Sequence, residues 1–558
     1  MQKTLILLLL STLGWTIANG QSLPDSTSRK IDALFKKWDD PNKPGCVVGI
    51  IRNDSLIYSK GYGLANVEQH IPNAPKSIYY MCSVSKQFTG YAIALLVQQG
   101  KVKLDANIHT YLPWMGNLGS TVTVRNLLNH TSGIRDDINL SEITGLPITG
   151  MLTQDLAVQL LKKQRSLNFA PDEKFSYSNS NYVLLAEIVK MVSGQPFRAF
   201  ADEQIFKPLG MVSSHFVDDP DEVIADRAPS YTPNDKRVFK NSLQNVYTMG
   251  DGGLFTNIID MARWVMNYYS PTNQKVISQM TEQGILNSGK SIKYAFGISI
   301  EESRGWKQYM HNGGLAGYRT IIAVYPELKT GFLIFCNSGE GDAIGKVNQL
   351  AALFIPNKKT AVTPALPAPV KRDSSLALVK NETVAKQLTG SYYADNGYHI
   401  NISLIRGKLW VNEQMMLARD SGNNYSLLNN AAVKYTFSKV KGALNLSLMS
   451  PVLDKPILLE KIQPVAAGNK ELAAYAGSYN SPELDYSFRL VVKNGLLYLI
   501  NRHFAEIKAE LQGKDRLVTE DDGLKHFKAF RNEKGTLLGF ELNNGEMMHL
   551  RFYKTDRP

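Results

Sequence analysis

Between residues 356 and 369 the chain carries four prolines, Pro356, Pro364, Pro367 and Pro369. A proline lacks a backbone N–H and clashes with a preceding helical turn, so this stretch holds neither a helix nor a central strand. It reads as a semi-rigid linker over 356–377 that cuts the 558 residues in two. A chain this long exceeds one ordinary domain, and about 100–200 residues per domain suggests three or four units.

Before the linker, helical and strand patterns alternate. Ile31, Leu34, Phe35 and Trp38 recur at helical spacing, predicting an amphipathic helix over 28–38. Residues 45–51 and 56–62 read as paired strands joined through the turn-prone Asn53-Asp54. A long apolar helix is predicted over 84–99. Strands at 318–325 and 331–336 precede a helix at 344–354. Strands from both ends of the region imply an α+β domain over 21–355, its sheet assembled from distant segments.

After the linker, the sequence repeats itself. Leu388-Thr-Gly390-Ser391-Tyr392 matches Tyr475-Ala-Gly477-Ser478-Tyr479, and Gly407-Lys-Leu409-Trp410 matches Gly495-Leu-Leu497-Tyr498. Each unit of about 90 residues, 378–463 and 464–558, carries short strands and turns such as Arg406-Gly407 and Asn494-Gly495. Two small antiparallel barrels or sandwiches are the natural reading, with one larger β domain as the alternative.

The content of 44% hydrophobic and 20% charged residues excludes a largely disordered or collagen-like chain. The net charge of +12 is spread without long runs of one sign, which favours solubility and gives little support to nucleic-acid binding. Three cysteines are too few for a disulfide framework. Cys46 and Cys336 lie on predicted first and last strands and are expected as buried thiols; Cys82 is expected as a small buried residue. Residues 1–20 read as a signal peptide: Lys3, an apolar stretch over 5–17, then Ala18-Asn19-Gly20. The alternative is an uncleaved anchor, but the stretch is shorter than a span of about 20 residues. No later stretch has about 18 uninterrupted apolar residues, so an exported, periplasmic or secreted protein without a transmembrane segment is expected. The nine histidines show no paired ligand spacing, and 339–346 lacks the spacing of a phosphate loop. No metal, other cofactor or nucleic-acid partner is expected.

Three segments carry chemistry. Ser83-Val-Ser-Lys86 opens the predicted long helix, and i,i+3 spacing puts the ammonium beside the hydroxyl. A hydroxyl becomes a competent nucleophile only when a base takes its proton, which a partly desolvated lysine can do. Tyr177-Ser178-Asn179 places a phenol two residues before an amide, suited to protonating a leaving group and holding a carbonyl. His311-Asn312-Gly313-Gly314 lies just before a strand; its glycines admit a substrate backbone, and the Gly314 N–H can serve an oxyanion.

Taken together and in this order, S-x-x-K, Y-x-N and H-x-G resemble the serine β-lactamase and penicillin-binding superfamily. The resemblance is to the branch holding class C β-lactamases, D-alanyl-D-alanine carboxypeptidases, D-aminopeptidases and related esterases. It spans about residues 25–355 and is strengthened by Val124-Arg-Asn-Leu-Leu-Asn-His130-Thr-Ser-Gly133 and Gly250-Asp-Gly-Gly253-Leu-Phe-Thr256. It implies a sheet with a helical subdomain, a nucleophile at Ser83, and Lys86 as the lysine that helps deprotonate it. Tyr177 would share proton transfer, as base or as acid. Asn179, His311, Asn312, Gly313 and Gly314 would hold the substrate, with the N–H groups of Ser83 and Gly314 forming an oxyanion hole.

One departure is informative. Where β-lactamases of this superfamily generally have K-T-G, this chain has His311-Asn312-Gly313, replacing a fixed cation by a side chain largely neutral near pH 7. That disfavours efficient β-lactam hydrolysis and strict carboxypeptidase action. H-x-G and a two-repeat β tail are both similar to D-aminopeptidases. The reading is an exported serine hydrolase forming a Ser83 acyl-enzyme on small-molecule or peptide substrates, foremost amides or peptides of D-amino acids. The alternatives are a carboxylesterase or acyltransferase, a weak β-lactamase, and a non-catalytic binding protein. The β units are expected either to shape the cleft mouth or to bind a partner.

Overall fold

The computed structural model describes residues 23–555 except 145, 147–149, 359–378, 380–381, 441, 451–452, 454, 463–466, 502–505, 514, 522 and 545–546. The signal peptide expected at 1–20 and nearly all of the expected linker lie outside the described residues.

The first part is built on helix α1 (Asp25–Phe35), strands β1 (Cys46–Arg52) and β2 (Ser55–Tyr62), and helices α2 (Lys86–Gln98), α3 (Asp137–Ile143), α4 (Asn179–Ser193) and α5 (Ile258–Asn267). Strands β3 (Ser299–Ser303), β4 (Trp306–Leu315), β5 (Tyr318–Tyr325) and β6 (Thr330–Cys336) and helix α6 (Ala343–Phe354) complete it. The six strands form one sheet in the order β3-β4-β5-β6-β1-β2. All its described pairings are antiparallel. The first strand of the chain therefore pairs with the last of this region, as strands drawn from both ends require. Cys46 and Cys336 face each other in the β1–β6 register as free thiols.

The sheet is covered on both faces. Ile31 and Phe35 of α1 and Val347 and Leu350 of α6 join Val48, Ile50, Ile321 and Ile334 in one apolar layer. On the other face α5 sits very close, because two glycines lie beneath it. A Cβ at Gly49 would fall 2.6 Å from Ile258 Cγ2, and one at Gly331 2.4 Å from Val265 Cγ1. Beyond α5, helices α2 and α4 are buried along most of their length and form the centre of a helical layer.

The long helix predicted from residue 84 begins two residues later. Cys82–Ser85 instead forms a single 3₁₀ turn ahead of α2. Cys82, which opens this turn, has φ +50°, which an L-residue adopts only under constraint.

The tail forms two closed eight-stranded barrels, from Gly390–Tyr393 to Ile457–Ile462 and from Gly477–Ser481 to Leu550–Thr555, which excludes a single larger β domain. The repeat seen in sequence has a physical meaning. Each barrel opens with a short helix, Glu382–Leu388 or Asn469–Tyr475, and then a glycine at φ +132° or +142°, Gly390 or Gly477. Two residues on, Tyr392 OH donates to Leu388 O at 2.7 Å and Tyr479 OH to Tyr475 O at 2.6 Å, tying strand to helix. The second barrel packs on the helical layer, so that Tyr479, Phe488 and Phe540 belong to the same apolar core as α2 and α4.

Candidate active site

Ser83 lies in the strained turn, half-buried, directly after the buried Cys82. The turn is pressed against β4. A Cβ on Gly313 would stand 2.4 Å from Met81 O, 2.6 Å from Thr320 Oγ1 and 2.9 Å from Cys82 Cβ. Only glycine allows β4 to run this close beneath the nucleophile turn. Gly313→Ala is therefore expected to push β4 off the turn that carries Ser83 and lower kcat about 100-fold, with the main loss in rate and not in KM, read from steady-state ester hydrolysis.

The lysine is fully buried and held at three points. Lys86 Nζ lies 2.7 Å from Asn179 Oδ1, 2.8 Å from Asp251 O and 3.2 Å from Ser83 Oγ. Two of those partners are carbonyl oxygens that can only accept, so they fix two N–H bonds. The remaining tetrahedral direction faces the Ser83 hydroxyl. In the neutral amine that direction is the lone pair, which is the geometry a general base needs.

Neighbouring segments hold this cage. Asp136 Oδ2 accepts from Asn179 N at 2.6 Å and from Asn179 Nδ2 at 3.0 Å, leaving the amide oxygen turned toward Lys86. Asp136 Oδ1 caps α3 by accepting from Ile138 N and Asn139 N. The Gly250-Asp-Gly-Gly253 stretch delivers the Asp251 carbonyl, and it turns tightly because Gly250 and Gly253 adopt φ +95° and +92°. Gly250 also passes 2.4 Å beneath Tyr182 O by the same Cβ measure, and its own carbonyl accepts from Thr89 Oγ1 on α2. Burial raises the carboxyls of Asp136, Asp137 and Asp251; at Asp136 and Asp251 the Lys86 charge pulls the other way.

Tyr177 forms the accessible wall, 39% exposed, with Lys86 Nζ 4.8 Å from its ring centre. Behind it lies buried His130, whose ring centre is 4.3 Å from that of Tyr177. His130 Nδ1 accepts from Ser178 N and Asn181 Nδ2, both at 3.1 Å, which fixes the loop carrying Tyr177. Burial, then the charge of Lys86, pushes His130 well below the usual histidine range.

His311 is buried and completes this wall, its ring centre 6.3 Å from that of Tyr177. Its Nδ1 lies 2.7 Å from Asn312 O and must donate, since a carbonyl only accepts. Nε2 is then the acceptor for Tyr294 OH at 2.9 Å. Burial, helped by the Lys86 charge, brings its pKa down to about 3. The side chain is neutral and both nitrogens are engaged within the protein, so the position provides no cation for a substrate carboxylate.

This arrangement has a thermodynamic consequence. His311 is neutral when folded, whereas the unfolded chain binds a proton there below pH 6.5. Stability due to this residue is full above pH 6.5 and is lost as pH falls toward 3, by roughly 5 kcal/mol in total. His311→Asn is expected to unfold less steeply on acidification than the wild type, as thermal midpoints at pH 7 and pH 4.5 will show.

Ser83, Lys86, Tyr177, Asn179, His311 and Gly313 thus meet around one cleft. Asn312 is exposed on the β4 face opposite His311, and Gly314 is exposed at the strand end. Asn179 is engaged by Asp136 and Lys86 on both sides of its amide, so its visible work is to hold the lysine. Sequence reasoning missed Asp136, the Asp251 carbonyl and Tyr294. A signal existed for the first two: Asp136 follows Gly133 by three residues, and Asp251 sits inside the Gly250-Asp-Gly-Gly253 stretch.

Comparison with known proteins adds a family. The Beta-lactamase family profile matches residues 31–354. The chain belongs to the beta-lactamase family. Within it, the chain is similar to the D-aminopeptidase of Brucella ovis, 26% identical over 326 residues, covering 58% of this chain and 61% of that protein. It is also 27% identical over 279 residues to the D-aminopeptidase of Gluconobacter oxydans, covering 50% and 52%. The chain thus spans between half and about three-fifths of these relatives' length. In structure it resembles an octameric penicillin-binding protein homologue from Pyrococcus abyssi, with TM-score 0.52 at 22% identity, over 86% of this chain and 97% of that one. A penicillin-binding protein from Bacillus halodurans gives TM-score 0.51 at 22% identity, over 58% and 99%. These likenesses show the fold of this beta-lactamase-family chain. Its chemistry rests on the cleft.

Proposed function

We propose that the chain is an exported serine hydrolase that opens amide or ester bonds through an acyl-enzyme on Ser83, with derivatives of D-amino acids as its substrates. The observation that carries this is the Lys86 cage, in which two carbonyl acceptors turn the third direction of Nζ onto Ser83 Oγ. Ser83 Oγ attacks the carbonyl carbon as its proton passes to Lys86 in its free-amine form. Negative charge on the former carbonyl oxygen is held by the N–H groups of Ser83 and Gly314. The C–N or C–O bond then breaks, Tyr177 serving as the proton conduit to the leaving group. Water then takes the leaving group's place: its oxygen bonds to the acyl carbon as it gives up a proton, the bond from that carbon to Ser83 Oγ breaks, and Oγ takes up a proton to restore the hydroxyl.

Substrate class rests on two supports. The neutral, internally satisfied His311 makes no demand for a free carboxylate, which suits amides, esters and peptides acylating through their N-terminal residue. The similarity to D-aminopeptidases gives the stereochemical preference. The same His311 observation favours a second reading, a carboxylesterase or acyltransferase, because an ester meets the same cleft without needing an anionic handle. Export is supported by the apolar stretch over 5–17 and is checked by N-terminal sequencing of the mature protein. Among the described residues no helix is long and apolar enough to cross a membrane.

The deciding assay compares D- and L-alanine p-nitroanilide with p-nitrophenyl acetate. The proposal expects turnover of the D-anilide at least about tenfold above the L-form. Ester turnover without either anilide sends the assignment to the esterase reading.

A further inference from the structure

We infer that Arg135 makes the second barrel part of the active centre, by anchoring to that barrel the chain segment that positions Asn179 and Lys86. This rests on the proposed chemistry at Ser83. Arg135 has no exposed surface. Its Nε donates to Met548 O at 2.9 Å, and Nη1 to Gln164 Oε1, Ser166 O and Glu483 Oε2 at 2.7, 3.0 and 3.0 Å. Nη2 donates to Ser166 Oγ at 2.7 Å. Met548 and Glu483 belong to two loops of the second barrel, more than 300 positions away in sequence.

Burial pulls the guanidinium pKa down, and Glu483 works against that. A buried cation needs such a partner, and the planar fork transmits the partner's position more rigidly than a lysine would. Both barrel loops are also pinned: Glu483 Oε2 accepts from Arg165 N at 2.8 Å, and Met548 N donates to Asn168 Oδ1 at 2.8 Å.

What Arg135 holds is the clamp of the site. Its own carbonyl accepts from Ser180 Oγ at 2.7 Å, and the next residue is Asp136, which grips both nitrogens of Asn179. Residues 133–136 belong to no helix or strand; backbone bonds from Asn168 N to Gly133 O and from Leu140 N to Asp136 O hold the two ends, and side-chain bonds hold Arg135 between them. One peptide unit thus joins barrel contacts on one side to the Asp136–Asn179–Lys86 series on the other. Arg135 and Glu483 are positioning residues: none of their described hydrogen bonds is to Ser83, Lys86 or Asn179, and both act through Asp136.

The test uses the full chain. Glu483→Gln is expected to slow the nitrophenol burst with p-nitrophenyl acetate about tenfold or more while KM stays within about twofold. Hydrogen exchange at the Asn139 and Asn179 amides, both bonded to Asp136, should rise about fivefold. Lys163→Ala breaks an exposed pair with Asp485 across the same interface and should change neither reading. Glu483→Asp, which keeps the charge, should recover part of the burst rate, and it replaces Glu483→Gln if that variant does not fold. A burst within twofold of wild type, or unchanged exchange at Asn179, overturns the inference. If the wild type gives no burst, the Ser83 reading fails, and exchange at Asn179 alone decides the anchoring.

Discussion

Ser83→Ala is expected to abolish the nitrophenol burst and the acetyl adduct with p-nitrophenyl acetate, lowering kcat about 10⁴-fold or more. The mutation removes one half-buried oxygen whose described hydrogen-bond partner is Lys86, so stability should move by no more than about 1 kcal/mol. Intact-mass spectrometry separates the possibilities directly. A gain of one acetyl group in the wild type that is missing in Ser83→Ala places the acyl group on that oxygen. An adduct of equal yield in both proteins would place it elsewhere and remove the basis of the proposed mechanism.

Lys86→Met is the second large effect. Methionine follows the lysine stem and fills much of its volume, but it can neither take the Ser83 proton nor bridge Asn179 Oδ1 and Asp251 O. Acylation should slow about 10³-fold, within the usual range for losing a positioned base, and exogenous small amines should restore part of the rate. The fold should survive. Asp136 and Asp251 feel the Lys86 charge, and burial already pushes both carboxyls up. Without the cation they take up protons more readily, so no pair of bare buried charges is left behind. Far-UV circular dichroism matching the wild type alongside the slowed burst is the expected result. A burst at the wild-type rate would reassign the base to Tyr177.

Much of this was legible in sequence because it depends on local spacing. Ser83 and Lys86 are one turn apart, Tyr177 and Asn179 flank one residue, and the 3.6-residue period marks α1, α2 and α6. The tail repeat was visible as two Gly-Ser-Tyr signals, since each barrel needs the same positive-φ glycine and the same tyrosine tie to its opening helix. Sequence sets the start of α2 two residues early because apolar periodicity does not distinguish the tighter 3₁₀ turn at Cys82–Ser85 from the first turn of an α-helix.

The residue types and their order along the chain determined a sheet-and-helix domain with a nucleophile, a base candidate and a phenol, then two β units. They did so because periodicity, glycine placement and short motifs are properties of neighbouring residues. Tertiary structure alone decided which oxygens surround Lys86, that His311 is neutral and satisfied by Tyr294, and that the second barrel reaches Arg135. Those outcomes depend on hydrogen bonds and desolvation among groups separated by tens to hundreds of residues. Direction and burial, which set the charge and the reach of each side chain, arise only when those distant segments pack together.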